Sequence, residues 1–175
     1  MTVYSGRMTT YVGIDFERAN NHKGSICAYG LAFDDGSLEK QVIALHATMP
    51  AQEATRFHGI TAEETANGAP FLELYSRLAA LPEDTVLVAH DLKMDRRSFF
   101  AACTVWGLPK LKLTWLDSLK VAQRQLGKQN KTGVATMAKR LKMTIKHHDP
   151  SHDALVALAV VKHYAGVDPL YLVKD

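Results

Sequence analysis

Ile14-Asp15-Phe16-Glu17 places two carboxylates two residues apart. In an extended strand such residues share one face, so Asp15 and Glu17 point the same way while Ile14 and Phe16 turn into the core. Carboxylates held side by side repel each other unless a cation sits between them. Oxygen ligands of this kind suit Mg²⁺ or Mn²⁺. The same pattern also fits the polar outer face of an edge strand. A second stretch, Ala89-His90-Asp91-Leu92-Lys93-Met94-Asp95, follows a short apolar run and opens a helix. Strand ends are where sites form in α/β sheets, although Asp91 or Asp95 alone could serve only the helix N-terminus. A third, His147-His148-Asp149-Pro150-Ser151-His152-Asp153, is a polar, histidine-rich loop leading into the most apolar helix of the chain. Asp153 falls in the first turn of that helix, where capping is again the simpler role. His148 and His152 have the i,i+4 spacing of a zinc pair, but no cysteine or further histidine cluster supplies the remaining ligands.

Each stretch alone has a structural explanation. Together they match the parts of one reaction. Hydrolysis of a phosphodiester with two divalent ions needs acidic ligands from several elements converging on one point, with the ions about 3.5–4 Å apart. One ion activates water, the other stabilises the leaving oxygen, and a histidine beside the water can take its proton.

The elements that must position these groups follow from periodicity. Tyr11 to Glu17, Gly24 to Phe33 and Leu38 to Ala47 read as strands. The turn Asp34-Asp35-Gly36-Ser37 between the last two is a hairpin signal, so the three should form an antiparallel meander. After Pro70, the spacing of Phe71, Leu74, Leu78 and Leu81 is helical. Thr85 to Ala89 is a short, continuously apolar strand of the buried type. Lys93 to Trp106 is a helix stopped by Gly107 and Pro109. Lys112 to Leu116 reads as the final strand, followed by helices at Ser118 to Leu126, Val134 to Leu141 and Asp153 to Tyr164. The last is apolar on nearly every face and must be packed between other elements. A meander followed by alternating helices and strands implies an α/β fold with a mixed sheet covered by helices.

Composition adds bounds. The 175 residues suit one domain, with residues 1–10 as a poorly ordered lead-in and 11–175 as the folded unit. The N-terminus lacks a signal-peptide layout, and no apolar run is long enough for a membrane span. Cys27 and Cys103 are expected as buried thiols in a reducing, cytoplasmic setting. A net charge of +3 permits contact with a polyanion without arguing for it. No long tail after Tyr164 is expected to tether a partner.

Asp15-x-Glu17, then Asp95, then His148 with four intervening residues before Asp153, resembles the ordered motifs of the DEDDh exonucleases, which include the proofreading epsilon subunit of bacterial DNA polymerase III. Ile14-Asp15-Phe16-Glu17-Arg18-Ala19-Asn20 resembles the family's first motif. Phe57-His58-Gly59-Ile60-Thr61 with Ala69-Pro70-Phe71 resembles the His-Gly-Ile-Thr segment of the polymerase-associated branch. Trp115-Leu116-Asp117-Ser118-Leu119 is similar to the stretch before the last helices. The likeness runs from Tyr11 to Tyr164.

The resemblance implies an RNase H-like fold with a five-stranded mixed sheet, and two Mg²⁺ or Mn²⁺ ions held by Asp15, Glu17, Asp95 and Asp153. It implies His148 as general base, since only His148 has the family's spacing to Asp153. It implies contacts to the 3′-terminal nucleotide from Phe16, Arg18, His58, Ile60, Thr61 and Asp91. The expected reaction is 3′→5′ removal of nucleoside monophosphates from single-stranded DNA, in proofreading or repair, with a polymerase as a possible partner. Arg18, Asp91 and Met94 stand where relatives usually have Thr, Asn and Phe, which bears on substrate preference and not on the metal ligands. An RNA-trimming enzyme of the same superfamily and a non-catalytic nucleic-acid or polymerase-binding module are the alternatives. The His-Gly-Ile-Thr segment tilts the reading toward DNA, and the five filled positions count against a dead relative.

Overall fold

Tyr11–Arg18 forms β1, Ile26–Ala32 β2 and Leu38–Val42 β3 in the computed structural model, which describes residues 9–50, 53, 55–164 and 172–174. They make the expected antiparallel meander, with the turn closed by Gly36 at φ 88° and by Asp35, whose carboxylate accepts from the Ser37 N–H and hydroxyl. Short helices α1 (Thr55–His58) and α2 (Ala62–Ala66) follow, then α3 (Phe71–Ala79), β4 (Val86–Ala89), α4 (Leu92–Val105), β5 (Thr114–Asp117), α5 (Ser118–Leu126), α6 (Val134–Arg140), α7 (Pro150–Tyr164) and β6 (Leu172–Lys174). The sheet order is β3-β2-β1-β4-β5-β6, with β1, β4 and β5 parallel and the outer pairings antiparallel.

The sheet has six strands rather than five. The sixth, β6, pairs antiparallel with β5 and brings Val173 against the core. Three residues are too few for alternation to announce a strand. β3 also ends at Val42 and not at Ala47. Beyond Val42, Ile43 makes a last hydrogen bond to the Cys27 carbonyl of β2 and bridges to Ala69, which Gly68 permits because a Cβ there would press on the Ala44 amide. Helices α1 and α2 were not anticipated, although Thr61-x-x-Glu64 is a capping box and both of its reciprocal hydrogen bonds are made. The expected lead-in over residues 1–10 lies outside the described residues as far as residue 8.

Two apolar layers flank the sheet. On one side α3 and α4 bury Phe71, Leu74, Leu78 and Phe99 against Val12, Ile14, Leu31, Leu87 and Trp115. On the other, α5, α6 and α7 cover Val86, Val88 and Leu116. Helix α7 packs on β1, β2 and β4 and against α5 and α6, which explains its lack of a polar face. It also lies unusually close to the sheet. A Cβ on Gly13 would strike the Ala154 carbonyl, and one on Gly30 would strike the peptide between Pro150 and Ser151. Cys27 and Cys103 are buried free thiols, and burial pushes them up to about 12 and about 11. Among the described residues no helix is long and apolar enough to cross a membrane.

Candidate active site

Alternation along β1 sends Ile14 and Phe16 to the α4 side, where Phe16 stacks on Phe99 with ring centroids 6.2 Å apart. Asp15 and Glu17 consequently face α7, opposite Gly30 and Ala28 of β2. The register slips between Glu17 and Arg18, whose β2 partners are Ala28 and Ile26, so the strand is bulged just beside the acids.

Asp95 arrives from the first turn of α4 and is buried. β4 pairs with β1 only as far as Gly13, and farther along β1 the Phe16 N–H goes to the Asp95 carboxylate. Asp91 precedes α4 in the left-handed region at φ 69° and its side chain makes no capping bond. The capping role that its position suggested is therefore not the one it fills.

Asp153 comes from α7, which starts at Pro150 and not at Asp153. Asp149 is the residue that caps it. Its carboxylate accepts from the Ser151 N–H at 3.1 Å and hydroxyl at 2.7 Å, and Pro150 takes the first helical position, where no N–H is needed. Asp153 is thus free of the capping duty. Its Oδ1 is buried with no hydrogen-bond partner among the described residues.

Carboxylate oxygens of Asp15, Glu17 and Asp153 lie within 4.8 Å of one another. Asp95 does not complete a foursome at that distance, but it lines the same cavity of about 460 Å³ as Asp15 and Glu17. Burial, with the charges of Asp95, Glu17 and Asp153 added, holds the Asp15 carboxyl well above its usual range. Burial and Asp153 lift Glu17 to about 7. Burial lifts Asp95 to about 8 against the opposing Phe16 N–H, with Asp91 and Glu17 adding to the rise. Burial raises Asp153 too, opposed by His147 and His148. Crowded acids, an orphaned buried oxygen and an all-oxygen donor set fit a divalent cation of the Mg²⁺ or Mn²⁺ type.

His148 lines the same cavity, in the left-handed region at φ 58°. Ligand atoms of His147, His148 and Asp153 lie within 4.8 Å of one another, and the two rings stack at 4.3 Å. His152 is turned to another task, because its Nδ1 accepts from the Lys146 N–H at 2.7 Å. The zinc pairing of His148 with His152 is therefore not formed.

Of the residues expected to touch the terminal nucleotide, Phe16, Arg18, His58 and Asp91 line the cavity. His58 has both ring nitrogens engaged. Nδ1 accepts from the Ile60 N–H and Nε2 donates to the Arg18 carbonyl at 3.2 Å, so it braces α1 against the end of β1. Ile60 lines an adjoining cavity that shares His58 and His148 with the first. Thr61 lines neither, because its hydroxyl caps α2. Arg56 and Phe57, which line both cavities, were not among the expected site residues, and Met94, expected to bear on substrate preference, is exposed on the rim. His90, quoted in the second acidic stretch but given no role there, meets Ser118 Oγ at 2.8 Å and the Thr132 carbonyl at 2.7 Å with its ring. An exposed Phe57 beside the His-Gly-Ile-Thr segment was the available signal.

A central parallel set of strands, an antiparallel meander at one side and acids brought together from β1, α4 and α7 define an RNase H-like fold. The nuclease domain of 3′hExo, a DEDDh family member bound to rAMP, superposes with a TM-score of 0.69 at 14% identity, covering 97% of this chain and 98% of that one. Exonuclease X in complex with 5′-overhanging duplex DNA gives 0.65 at 18% identity, covering 87% and 92%. In sequence, the PolC-type DNA polymerase III of Streptococcus mutans is 26% identical over 98 residues, which is 56% of this chain and 7% of that protein. The chain belongs to the exonuclease family of the RNase T type, whose model matches residues 39–161, and its ordered motifs follow the DEDDh, DnaQ-like pattern. The matched stretch contains Asp95, His148 and Asp153, and the fold carries Asp15 and Glu17 to them.

Proposed function

We propose that this chain is a 3′→5′ exonuclease that removes nucleoside 5′-monophosphates from single-stranded DNA with two Mg²⁺ or Mn²⁺ ions. The observation that carries the reading is the trio Asp15, Glu17 and Asp153 within 4.8 Å, beside an Asp153 oxygen with no hydrogen-bond partner among the described residues and an exposed His148 lining the cavity. Asp15, Glu17, Asp95 and Asp153 would hold the ions. When bound, the ions supply Lewis-acid activation of water and neutralise charge on the phosphate. The chain supplies the rest. His148 takes the proton of the attacking water at its free ring nitrogen. The bulged end of β1 and the Asp91 turn present Arg18 and Asp91 to the terminal nucleotide. Phe57 and Met94 offer apolar surface for its base.

DNA is favoured by the His58-Gly59-Ile60-Thr61 segment and by the PolC-type relative, and these also support a replication or repair role beside a polymerase in the cytoplasm. The rAMP carried by 3′hExo is the reason to keep RNA as the second substrate. The deciding experiment is a time course on 3′- and 5′-labelled DNA and RNA oligomers with Mg²⁺, Mn²⁺ or EDTA. Stepwise shortening from the 3′ end, release of mononucleotides and arrest by EDTA are expected. Cleavage of a circular single strand, or activity that survives chelation, would contradict the reading. A faster reaction on RNA would reassign the substrate alone, and no hydrolysis of either would favour a binding module.

A further inference from the structure

Among the described residues the His148 imidazole makes no hydrogen bond. It only stacks on His147, whose Nδ1 accepts from the His148 backbone N–H at 3.2 Å. A general base is ordinarily oriented by a third group, and here no side chain holds the ring. Its placement depends on its backbone, which sits in the left-handed region. The next residue, Asp149, is fixed from both sides. Its carboxylate accepts from Ser151, and its carbonyl accepts from the His152 and Asp153 N–H groups. Its second oxygen takes the Lys40 ammonium at 2.7 Å. Lys40 lies on β3, directly across from Gly30, and Gly30 lies directly across from Asp15. Paired residues in a sheet point to the same face. One row of the sheet therefore holds a candidate metal ligand, the glycine under the first turn of α7, and the cation that latches that turn.

We infer that Lys40, acting through Asp149, is a positioning residue for His148, setting the base over the carboxylates by latching the start of α7 to the sheet edge. The inference rests on the reading of His148 as the base. Displacement of a catalytic group by an ångström can cost orders of magnitude in rate. Lys40 is half exposed and outside the cavity that holds the acids, so its loss should spare the fold and the metal site.

The test is steady-state kinetics on a labelled oligonucleotide with Mn²⁺, for wild type, Lys40→Met, Lys40→Arg, Asp149→Asn, His148→Ala and the double variant Lys40→Met/His148→Ala. Asp149→Asn keeps an oxygen for Ser151 while removing the charge that holds Lys40. Lys40→Met and Asp149→Asn should each lower kcat about tenfold, with KM and the Mn²⁺-induced rise in Tm unchanged. Lys40→Arg should restore most of the rate. In the His148→Ala background Lys40→Met should do nothing further. Equal losses in both backgrounds, or an unchanged kcat for Lys40→Met beside a crippled His148→Ala, would overturn this inference and leave the base assignment standing. An undiminished kcat for His148→Ala would overturn both.

Discussion

The two faces of the sheet solve opposite problems. The α3/α4 face is filled by large rings. Phe99 lies against Phe16, Phe71 and Trp115 at centroid distances of 5.9–6.4 Å, and the side chains set how near the helices come. The α7 face is rich in alanine and valine, with Leu116, Met137 and Leu158 as its larger members, and at Gly13 and Gly30 the helix backbone meets the strand backbone with no side chain between. Bulk on one face yields stability through buried apolar surface. Its absence at Gly13 and Gly30 on the other yields proximity, which lets Asp153 reach Asp15 and Glu17 across the interface. Asp15, Glu17 and Asp153 gather where that close approach is possible, and Asp95 joins them from α4, so the charge repulsion falls on the α7 contact and on the first turn of α4.

Substitutions on the two faces should differ in what they remove. On the α7 side, His148→Ala should lower kcat by about 10²–10⁴-fold. His147→Ala and His152→Ala should be far milder, because His147 touches His148 only through the ring stack and a backbone N–H, and His152 ties off a loop amide. Single-turnover rates would check this, and equal losses for all three would mean that the base is wrongly assigned. Gly30→Ala should follow, with a loss of about 10²-fold in rate, since α7 must lift away from the acids. Retained activity in Gly30→Ala would break the link between close packing and the site. On the opposite face, Leu78→Ala should remove about 2–5 kcal/mol of stability in denaturant melts, with kcat nearly unchanged below the melting range. A large loss of rate there would erase the contrast between the faces.

Much of this division was legible in the sequence. The two-residue spacing of Asp15 and Glu17 fixed their common face, the buried strand before His90 placed Asp95, and the all-round apolarity of Asp153 to Tyr164 announced a packed helix. What escaped were features that depend on partners distant in the chain. Lys40 and Asp149 are 109 residues apart, and nothing local marks Gly13 or Gly30 as the positions a helix crosses. The start of α7 was readable, because Asp149-Pro150-Ser151 is a cap followed by proline at the first helical position. Attention to Asp153 as the cap hid it. Helices α1 and α2 and strand β6 span less than two turns or three residues, too little for periodicity to register.

A smaller effect involves acids from both sides of the sheet. Asp95 and Glu17 are raised to about 8 and about 7, above their values of about 4 in an unfolded chain. Between those limits the folded state without metal binds more protons than the unfolded state, so its stability falls as pH rises. Burial lowers His58 and His90, which act in the opposite sense below about pH 6.5. The decline should therefore be clearest from about pH 6.5 to 8, and Asp95→Asn should flatten it. Melting in EDTA across this range checks it, and an unchanged slope in Asp95→Asn would remove Asp95 as a source.

The central claim is that the carboxylates are held together against their own repulsion in order to bind divalent ions. Melting curves of wild type and Asp15→Asn, with EDTA and with Mn²⁺, test it most directly. In EDTA the Asn variant should melt at the same or a higher temperature than wild type, since one buried charge is gone at nearly constant volume. Mn²⁺ at a hundred times its Kd should stabilise the wild type by about 2.7 kcal/mol and the variant by less. A variant that is clearly destabilised in EDTA, together with no Mn²⁺ shift in either protein, would mean that the acids are structural and that the metal site is absent.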